Sequence, residues 1–133
     1  MVHLKYLRIE GQQIAHLPLR LDLLQELRTI SLDNNKLTSI PLSLRTLPRL
    51  FSISVCKNQI EEIPDDYFET LTGIETLLLD SNKLKSLPSS IIGLKRLKKF
   101  THEDNPLEQK PEWLGILRAM IEHTLRLGIS FPI

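Results

Sequence analysis

The feature that most constrains this chain is a pattern of apolar residues that recurs about every 23 residues. In each copy an aliphatic residue is followed three positions later by a second apolar residue, and in most copies by a third two positions after that. The copies open at Leu4, Leu27, Leu50, Ile74 and Leu97, so the third is one residue longer than the others. One copy cannot bury its apolar side chains alone, whereas stacked neighbours bury a continuous core. The pattern therefore predicts about five stacked repeats.

Each repeat contains the alternation of apolar and polar residues that is typical of a short strand. The predicted strands cover residues 5–9, 28–32, 51–55, 75–79 and 98–102. Strands joined by crossovers in one direction must be parallel. Since strands pack about 4.8 Å apart and the returning segments are wider, the strands should line a concave face. We therefore predict an α/β solenoid with a short parallel sheet on the concave face.

The convex face is expected to be irregular, 3₁₀ or short helical. A proline with fixed φ and no N–H group suits the start of such segments. Four repeats carry one, at Pro18, Pro41, Pro64 and Pro88. In the longer third repeat, Asp65, Asp66 and Phe68 predict a more complete helical turn, with the two carboxylates favouring the helix dipole.

The C-terminal part of the chain predicts a capping helix over residues 111–127. Pro111 suits its first position, apolar residues then recur at helical spacing, and Gly128 suits the position after its end. Repeat arrays need such a cap to cover their last layer. Residues 1–133 are thus expected to form one domain.

Both ends of this domain leave alternatives open. Ile129, Phe131 and Ile133 alternate after the helix, so this tail could fold back on the cap or the natural chain could continue. Before Leu4 only three residues stand, which is too short for a cap. An uncapped first layer with an unpaired strand edge is an association hazard. The chain could therefore self-associate through this end, be a piece of a longer array, or tolerate the exposure.

After each strand, every repeat carries a residue with a side-chain amide at the same position. A buried amide there can bond backbone groups of its own turn and of the next repeat. This structural ladder comprises Gln12, Asn35, Asn58, Asn82 and Asn105, of which Gln12 is one methylene out of pattern.

The pattern L-x-x-L-x-L-x-x-N-x-L resembles the leucine-rich repeat family from Leu4 to Leu107. Its continuation N-x-L-x-x-[LI]-P is similar to the intracellular 23-residue subclass typified by Ras-pathway scaffold proteins. The resemblance implies a fold used mainly for protein binding, with many unrelated partners.

The concave strand positions are where a partner is expected to bind. An acidic column, defined as Glu10, Asp33, Asp80 and Glu103, is interrupted only by Cys56. The full set of expected partner-binding residues is Tyr6, Arg8, Arg28, Asp33, Phe51, Ser54, Cys56, Leu78, Asp80, Thr101 and Glu103. Phe51 and Leu78 are apolar where solvent is expected, as in a binding surface with anchors in a polar rim. Alternatively, these are ordinary scattered apolar surface residues.

Catalytic and metal centres are not indicated by the sequence. Lys57 beside Cys56 could lower the thiol pKa, but no histidine occupies a neighbouring concave position. His102 stands at an inward position, where a satisfied buried histidine is expected rather than a ligand. The chain has no Gly-rich phosphate loop or metal-spaced cluster. We expect neither enzyme activity nor a cofactor.

The net charge limits the classes of partner that we expect, and the cysteine content indicates the cellular compartment. Seventeen basic and sixteen acidic residues leave a net charge of +1, which weighs against nucleic acid and acidic membrane surfaces. The basic run over 83–99 and the acidic run over 61–69 either steer a charged partner or are solvated turns. One cysteine and no N-x-S/T site favour a cytoplasmic location, and no apolar run predicts membrane insertion.

These features favour a non-catalytic protein-interaction module, an adaptor or scaffold, that binds a partner on its concave face. The alternative is a regulatory or targeting subunit, or a fragment, of a phosphatase, ubiquitin-ligase or signalling complex.

Overall fold

The repeat spacing produces a row of five parallel strands in the computed structural model, which describes residues 3–17 and 20–127. The strands follow one another in sequence order with no register offset, so each residue pairs with its counterpart in the next repeat. They are β1 (Tyr6–Arg8), β2 (Thr29–Ser31), β3 (Ser52–Ser54), β4 (Thr76–Leu78) and β5 (Lys99–Thr101).

Each strand occupies the centre of its predicted range and is one residue shorter at either end. The hydrogen bonds between repeats nevertheless continue past the strand ends. The amide of Leu32 donates to the carbonyl of Ser54, and that of Leu79 donates to Thr101, both at 2.9 Å. The predicted parallel sheet is confirmed.

The convex side carries short 3₁₀ helices at Leu21–Leu23, Leu42–Thr46 and Ser89–Gly93. Pro41 and Pro88 immediately precede the second and third of these helices, whereas Pro18 lies outside the described residues. Each helix places one aliphatic side chain in the core with no exposed surface: Leu21, Leu44 and Ile91. The predicted 3₁₀ character of the convex side is confirmed.

The return segment of the third repeat differs from the prediction, because it forms successive turns and not a helical turn. Its extra residue allows Tyr67 and Phe68 to be buried together, with their ring centroids 4.9 Å apart. The Tyr67 hydroxyl donates to the Pro41 carbonyl at 2.6 Å. The Asp65 carboxylate accepts from the Ser89 amide, so it serves the start of the next repeat's helix and not its own.

The core is a stack of aliphatic layers that is closed in the middle and thinner at both ends. Ile30, Ile53 and Leu77 are fully buried, whereas their counterparts Leu7 and Phe100 are half-buried. At the C-terminal end the layer is covered by helix α1 (Trp113–Leu127). The helix begins two residues after the predicted start, and the predicted Gly128 end and the tail residues 129–133 lie outside the described residues.

His102 is buried under α1, as expected from its inward position. Its Nε2 atom lies 3.3 Å from the Arg118 guanidinium, which can only donate, so a hydrogen bond between them requires Nε2 to be the unprotonated nitrogen of the ring. Burial lowers the pKa of His102 from its usual 6.5, and the Arg118 and Lys110 cations lower it further against the opposing effect of Glu103.

The chain reverses after each strand through a residue in the left-handed region at an equivalent position, and Gln13 is a second such residue in the first repeat. The φ angle at the equivalent position is between 57° and 67° in all five repeats, at Gly11, Asn34, Lys57, Ser81 and Asp104. Glycine adopts this conformation freely and asparagine or aspartate at little cost. Lysine has neither advantage, so the third repeat stores backbone strain at Lys57.

The buried, neutral His102 predicts that acid destabilises the fold. Since the pKa of His102 is lower in the folded state, the unfolded chain binds the proton first, and stability falls as the pH drops below 6.5. The melting temperature should therefore fall more steeply for the natural chain than for His102→Gln between about pH 7 and pH 5. Equal slopes in thermal unfolding followed by circular dichroism would contradict the assigned neutral state.

The strain at Lys57 predicts that glycine stabilises this position. Lys57→Gly should raise the free energy of unfolding by about 0.5–1 kcal/mol, because glycine adopts the positive φ without a Cβ clash. The matched control is Lys36→Gly at an exposed lysine without positive φ, which should lower stability by about 0.5–1 kcal/mol. Urea unfolding measures both, and destabilisation of similar size in the two variants would refute the strain.

Candidate partner-binding surface

The concave surface rests on asparagine side chains that bond the backbone of two repeats. In the third repeat, Asn58 Oδ1 accepts from the Leu37 amide at 3.0 Å. Its Nδ2 donates to the carbonyls of Leu32 at 3.0 Å and Val55 at 3.1 Å. Leu32 and Leu37 belong to the preceding repeat, so the expectation that each asparagine bonds the next repeat was wrong in direction.

The other asparagines repeat this arrangement, and Gln12 does not. Asn35, Asn82 and Asn105 each accept from an amide of the preceding repeat and donate to a carbonyl there. The Gln12 side chain is exposed and bonds the carbonyl of Glu10 within its own turn at 3.0 Å. Within the described residues the ladder therefore begins at Asn35.

A second set of bonds runs in the opposite direction through the acidic column. Asp33 Oδ1 accepts from the Ser54 hydroxyl at 2.6 Å and from the Cys56 amide at 2.8 Å. Asp80 Oδ1 accepts from the Glu103 amide at 2.7 Å. These carboxylates tie their own repeat to the following one, a role that the sequence analysis missed. In the sequence, a serine or threonine stands one repeat after most members of the column, and this pattern was the available signal for the role.

Ser54 lies at its expected strand position, but it is buried, whereas we expected it to be exposed to solvent. Only 8 % of its surface is exposed, since its hydroxyl turns onto Asp33. Ser31 is equally buried and donates to Glu10 at 2.6 Å. The hydroxyl of Thr101, at the same position of the fifth repeat, is buried with no hydrogen-bond partner in the described part of the chain. Ser54 thus positions Asp33 and presents little surface to a partner.

Cys56 takes the place of a carboxylate in the acidic column. Its sulfur lies 3.8 Å from the Ser54 hydroxyl. Burial raises the pKa of the Cys56 thiol, and the carboxylates of Asp33 and Asp80 add to this effect against the hydrogen bonds from Ser54 and the Asp80 amide. Lys57, which could have lowered this pKa, is not among the groups that shift it, and the group is a neutral thiol near pH 7.

The two expected apolar anchors lie in different parts of the surface. Leu78 is half-buried and pairs in register with Ser54. Phe51 precedes Ser54 by three residues, so it stands about 10 Å away along the strand direction, with 37 % of its surface exposed. Tyr6 is the most exposed aromatic of the sheet at 64 %. The structure therefore places Phe51 and Leu78 at two separate positions on the surface.

Some charged residues of the surface have an ion-pair partner and others do not. Arg8 lies 3.1 Å from Glu10, and Arg118 lies 3.9 Å from Glu103. Asp33 and Asp80 have no cation within 4.0 Å among residues 3–17 and 20–127. Arg28, at the edge of the surface, is half-buried. The two inner carboxylates thus form no ion pair within the described part of the chain.

No cluster of three or more potential metal ligands occurs in the described ranges. Over the same ranges, no helix combines the length and the hydrophobicity that a bilayer crossing requires.

Comparisons with known proteins place this architecture in a family. Two models of the leucine-rich repeat match residues 26–47 and 48–107, an unbroken stretch of more than half the chain. No curated protein sequence matches the chain.

Solved structures share the fold. A leucine-rich repeat protein of Leptospira interrogans is 27% identical, with a TM-score of 0.70 over 83% of this chain and 27% of its own. A chain of the Drosophila melanogaster SNF/U2A′ complex is 22% identical, with a TM-score of 0.63 over 86% of this chain and 67% of its own.

The leucine-rich repeat ectodomain of an Arabidopsis thaliana receptor kinase is 21% identical, with a TM-score of 0.57 over 68% of this chain and 61% of its own. The chain thus spans about a quarter of the length of the Leptospira protein. From the repeat pattern, the asparagine ladder and these matches, the chain belongs to the leucine-rich repeat family.

Proposed function

We propose that the protein is a non-catalytic interaction module, an adaptor or scaffold, that binds another protein on its concave strand face. Leucine-rich repeat domains are protein-interaction modules, and this proposal assigns the role to one face of this chain. The partner surface is the one formed by β1 to β5.

The observation that carries the proposal is the combination of exposed aromatic side chains and fixed charges on one sheet. Tyr6 and Phe51 are exposed, while the inner carboxylates Asp33 and Asp80 are held by hydrogen bonds from the following repeat. Aromatic anchors surrounded by polar groups are typical of protein-binding surfaces. Residues fixed before binding lose less conformational entropy when a partner arrives.

The same side chains support a non-catalytic role. Asp33 and Asp80 are engaged in bonds between repeats, and a nucleophilic cysteine needs a lowered pKa whereas that of Cys56 is raised. These features leave the surface with recognition groups and no activated nucleophile among the described residues.

A second candidate is a regulatory or targeting subunit of a larger complex, such as a phosphatase, ubiquitin-ligase or signalling complex. Its support is the fold shared with a chain of the SNF/U2A′ complex. For both candidates we propose a cytoplasmic location. We also propose self-association through the open first repeat, where Leu7, Ile9, Ile14 and Leu17 are only partly buried.

The proposed face predicts which substitutions abolish partner capture. Tyr6→Asp combined with Phe51→Asp should lower recovery of captured proteins at least about 10-fold, because aromatic anchors contribute most of the binding energy of such surfaces. The matched control is Leu23→Asp with Leu42→Asp, which changes two exposed side chains of the convex 3₁₀ helices.

The measurement is quantitative mass spectrometry of proteins captured from the native cell lysate, after circular dichroism has established that each variant is folded. Recovery should be unchanged in the convex control. Loss of the same proteins in the convex variant but not in the concave variant would place the partner on the other face.

A further inference from the structure

The apolar layer of the first repeat lacks a cover on its outer side within the described residues. Leu4 keeps 37 % of its surface exposed, whereas the corresponding Leu27 of the second repeat is fully buried. The other members of the layer are only partly buried, while their counterparts in the second repeat are at most 4 % exposed. An apolar layer beside an open strand edge is a surface that favours association.

The outer edge of β1 also presents backbone groups that have partners in the other repeats. In the second repeat, the Thr29 amide donates to a carbonyl of the first repeat at 3.1 Å, and the Ser31 carbonyl accepts from an amide of the first repeat at 2.9 Å. The corresponding residues of β1 are Tyr6 and Arg8. Because β1 is the first strand of the sheet, no described strand lies on that side of them.

The side chain of Gln12 limits the length of this open edge. In the second repeat the Asp33 carbonyl accepts from the Gly11 amide at 3.2 Å. The corresponding carbonyl of the first repeat, that of Glu10, accepts instead from the Gln12 side chain at 3.0 Å. Gln12 thus fills the place that an amide of a preceding repeat would take, and the free edge is confined to the residues of β1.

The opposite end of the stack is closed by α1. Leu114 and Leu117 of this helix are buried against the last repeat, with 5 % and 2 % of their surface exposed. A head-to-tail stack, in which the first repeat of one copy covers the last repeat of another, is therefore blocked. Two copies can still meet through their first repeats, and such an isologous contact closes as a two-fold dimer.

We propose that two copies of the chain associate by antiparallel pairing of β1 with β1, about a two-fold axis at Leu7, so that the two five-stranded sheets become continuous. The inference rests on the proposed self-association and specifies its geometry. Tyr6 of each copy lies opposite Arg8 of the other, and these two residues exchange both backbone hydrogen bonds. The exposed Arg8 guanidinium then packs beside the exposed Tyr6 ring as a cross-strand pair.

The neighbouring registers are less favourable. A shift of two residues in one direction places the two Arg8 side chains opposite each other, and like charges there are destabilising. It also uses the Glu10 carbonyl, which Gln12 already occupies. A shift of two residues in the other direction places the partly buried Leu7 opposite the charged Lys5. The register with Leu7 opposite Leu7 avoids these conflicts.

Two substitutions at one position test the backbone pairing. Arg8→Pro removes an N–H group that points away from the rest of the chain and should weaken dimerisation at least about 100-fold. Arg8→Ala is the matched control, because it loses the guanidinium but keeps the N–H group, and it should weaken dimerisation only about 3- to 10-fold. Sedimentation equilibrium of the purified chain over about 1 µM to 1 mM measures both constants, after circular dichroism has established that each variant is folded.

Cysteine cross-linking tests the register independently of affinity. In a Cys56→Ser background, Leu7→Cys should form a disulfide-linked dimer on mild oxidation, because directly opposite residues of a non-hydrogen-bonded pair lie about 4.5 Å apart at Cα. The matched control is Glu10→Cys. In the proposed register its two copies are six residues out of line, about 20 Å apart, so it should remain monomeric on a non-reducing gel.

A dimer that survives Arg8→Pro, or a Leu7→Cys chain that cross-links no more than Glu10→Cys, would overturn the pairing through β1 and leave self-association standing. A natural chain that is monomeric at every concentration would overturn self-association as well. These measurements use the purified chain alone, so neither failure bears on the lysate capture that tests the concave partner surface. Loss of the dimer in Arg8→Pro together with Leu7→Cys cross-linking supports the inference.

Discussion

The structure depends on satisfying the backbone groups of the turn that follows each three-residue strand. The asparagine side chains at these turns are buried at Asn35, Asn58 and Asn82, and an amide or carbonyl left unpaired beside them would be costly. The asparagine amide solves this by accepting from one repeat and donating to carbonyls of both, as Asn58 does with Leu37, Leu32 and Val55. Short strands and short 3₁₀ helices are sufficient because every repeat is tied to its predecessor at this point.

The carboxylates of the acidic column form a second set of hydrogen bonds between repeats, which connects each repeat to the following one and fixes charged groups on the concave face. Asp33 and Asp80 accept hydrogen bonds from the following repeat and remain partly exposed, so side chains that stabilise the stack also contribute to its concave surface. Where Cys56 replaces a carboxylate, the carboxylate–amide bond to the following repeat is replaced by a weaker sulfur contact. The charge of the surface is thus arranged by the same bonds that hold the repeats in register.

The 23-residue period predicted the parallel sheet and its aliphatic layers, because periodicity determines which side chains face inward. It could not predict the burial of Ser54, the direction of the Asn58 bonds or the raised pKa of Cys56. Those properties depend on partners 21 to 26 residues away in a neighbouring repeat, and a pattern repeated in every copy does not distinguish the preceding neighbour from the following one. At Asp65 the chain forms successive turns in place of the predicted helical turn, and these turns bury Tyr67 and Phe68.

The most direct test of this account compares the free energy of unfolding of Asn58→Ala and Gln12→Ala by urea denaturation. Asn58→Ala should cost about 3 kcal/mol, because it leaves buried backbone groups of two repeats without partners. Gln12→Ala should cost less than about 0.5 kcal/mol, because its exposed side chain bonds only its own turn. Equal losses in the two variants would contradict the claim that the asparagine ladder holds the repeats together.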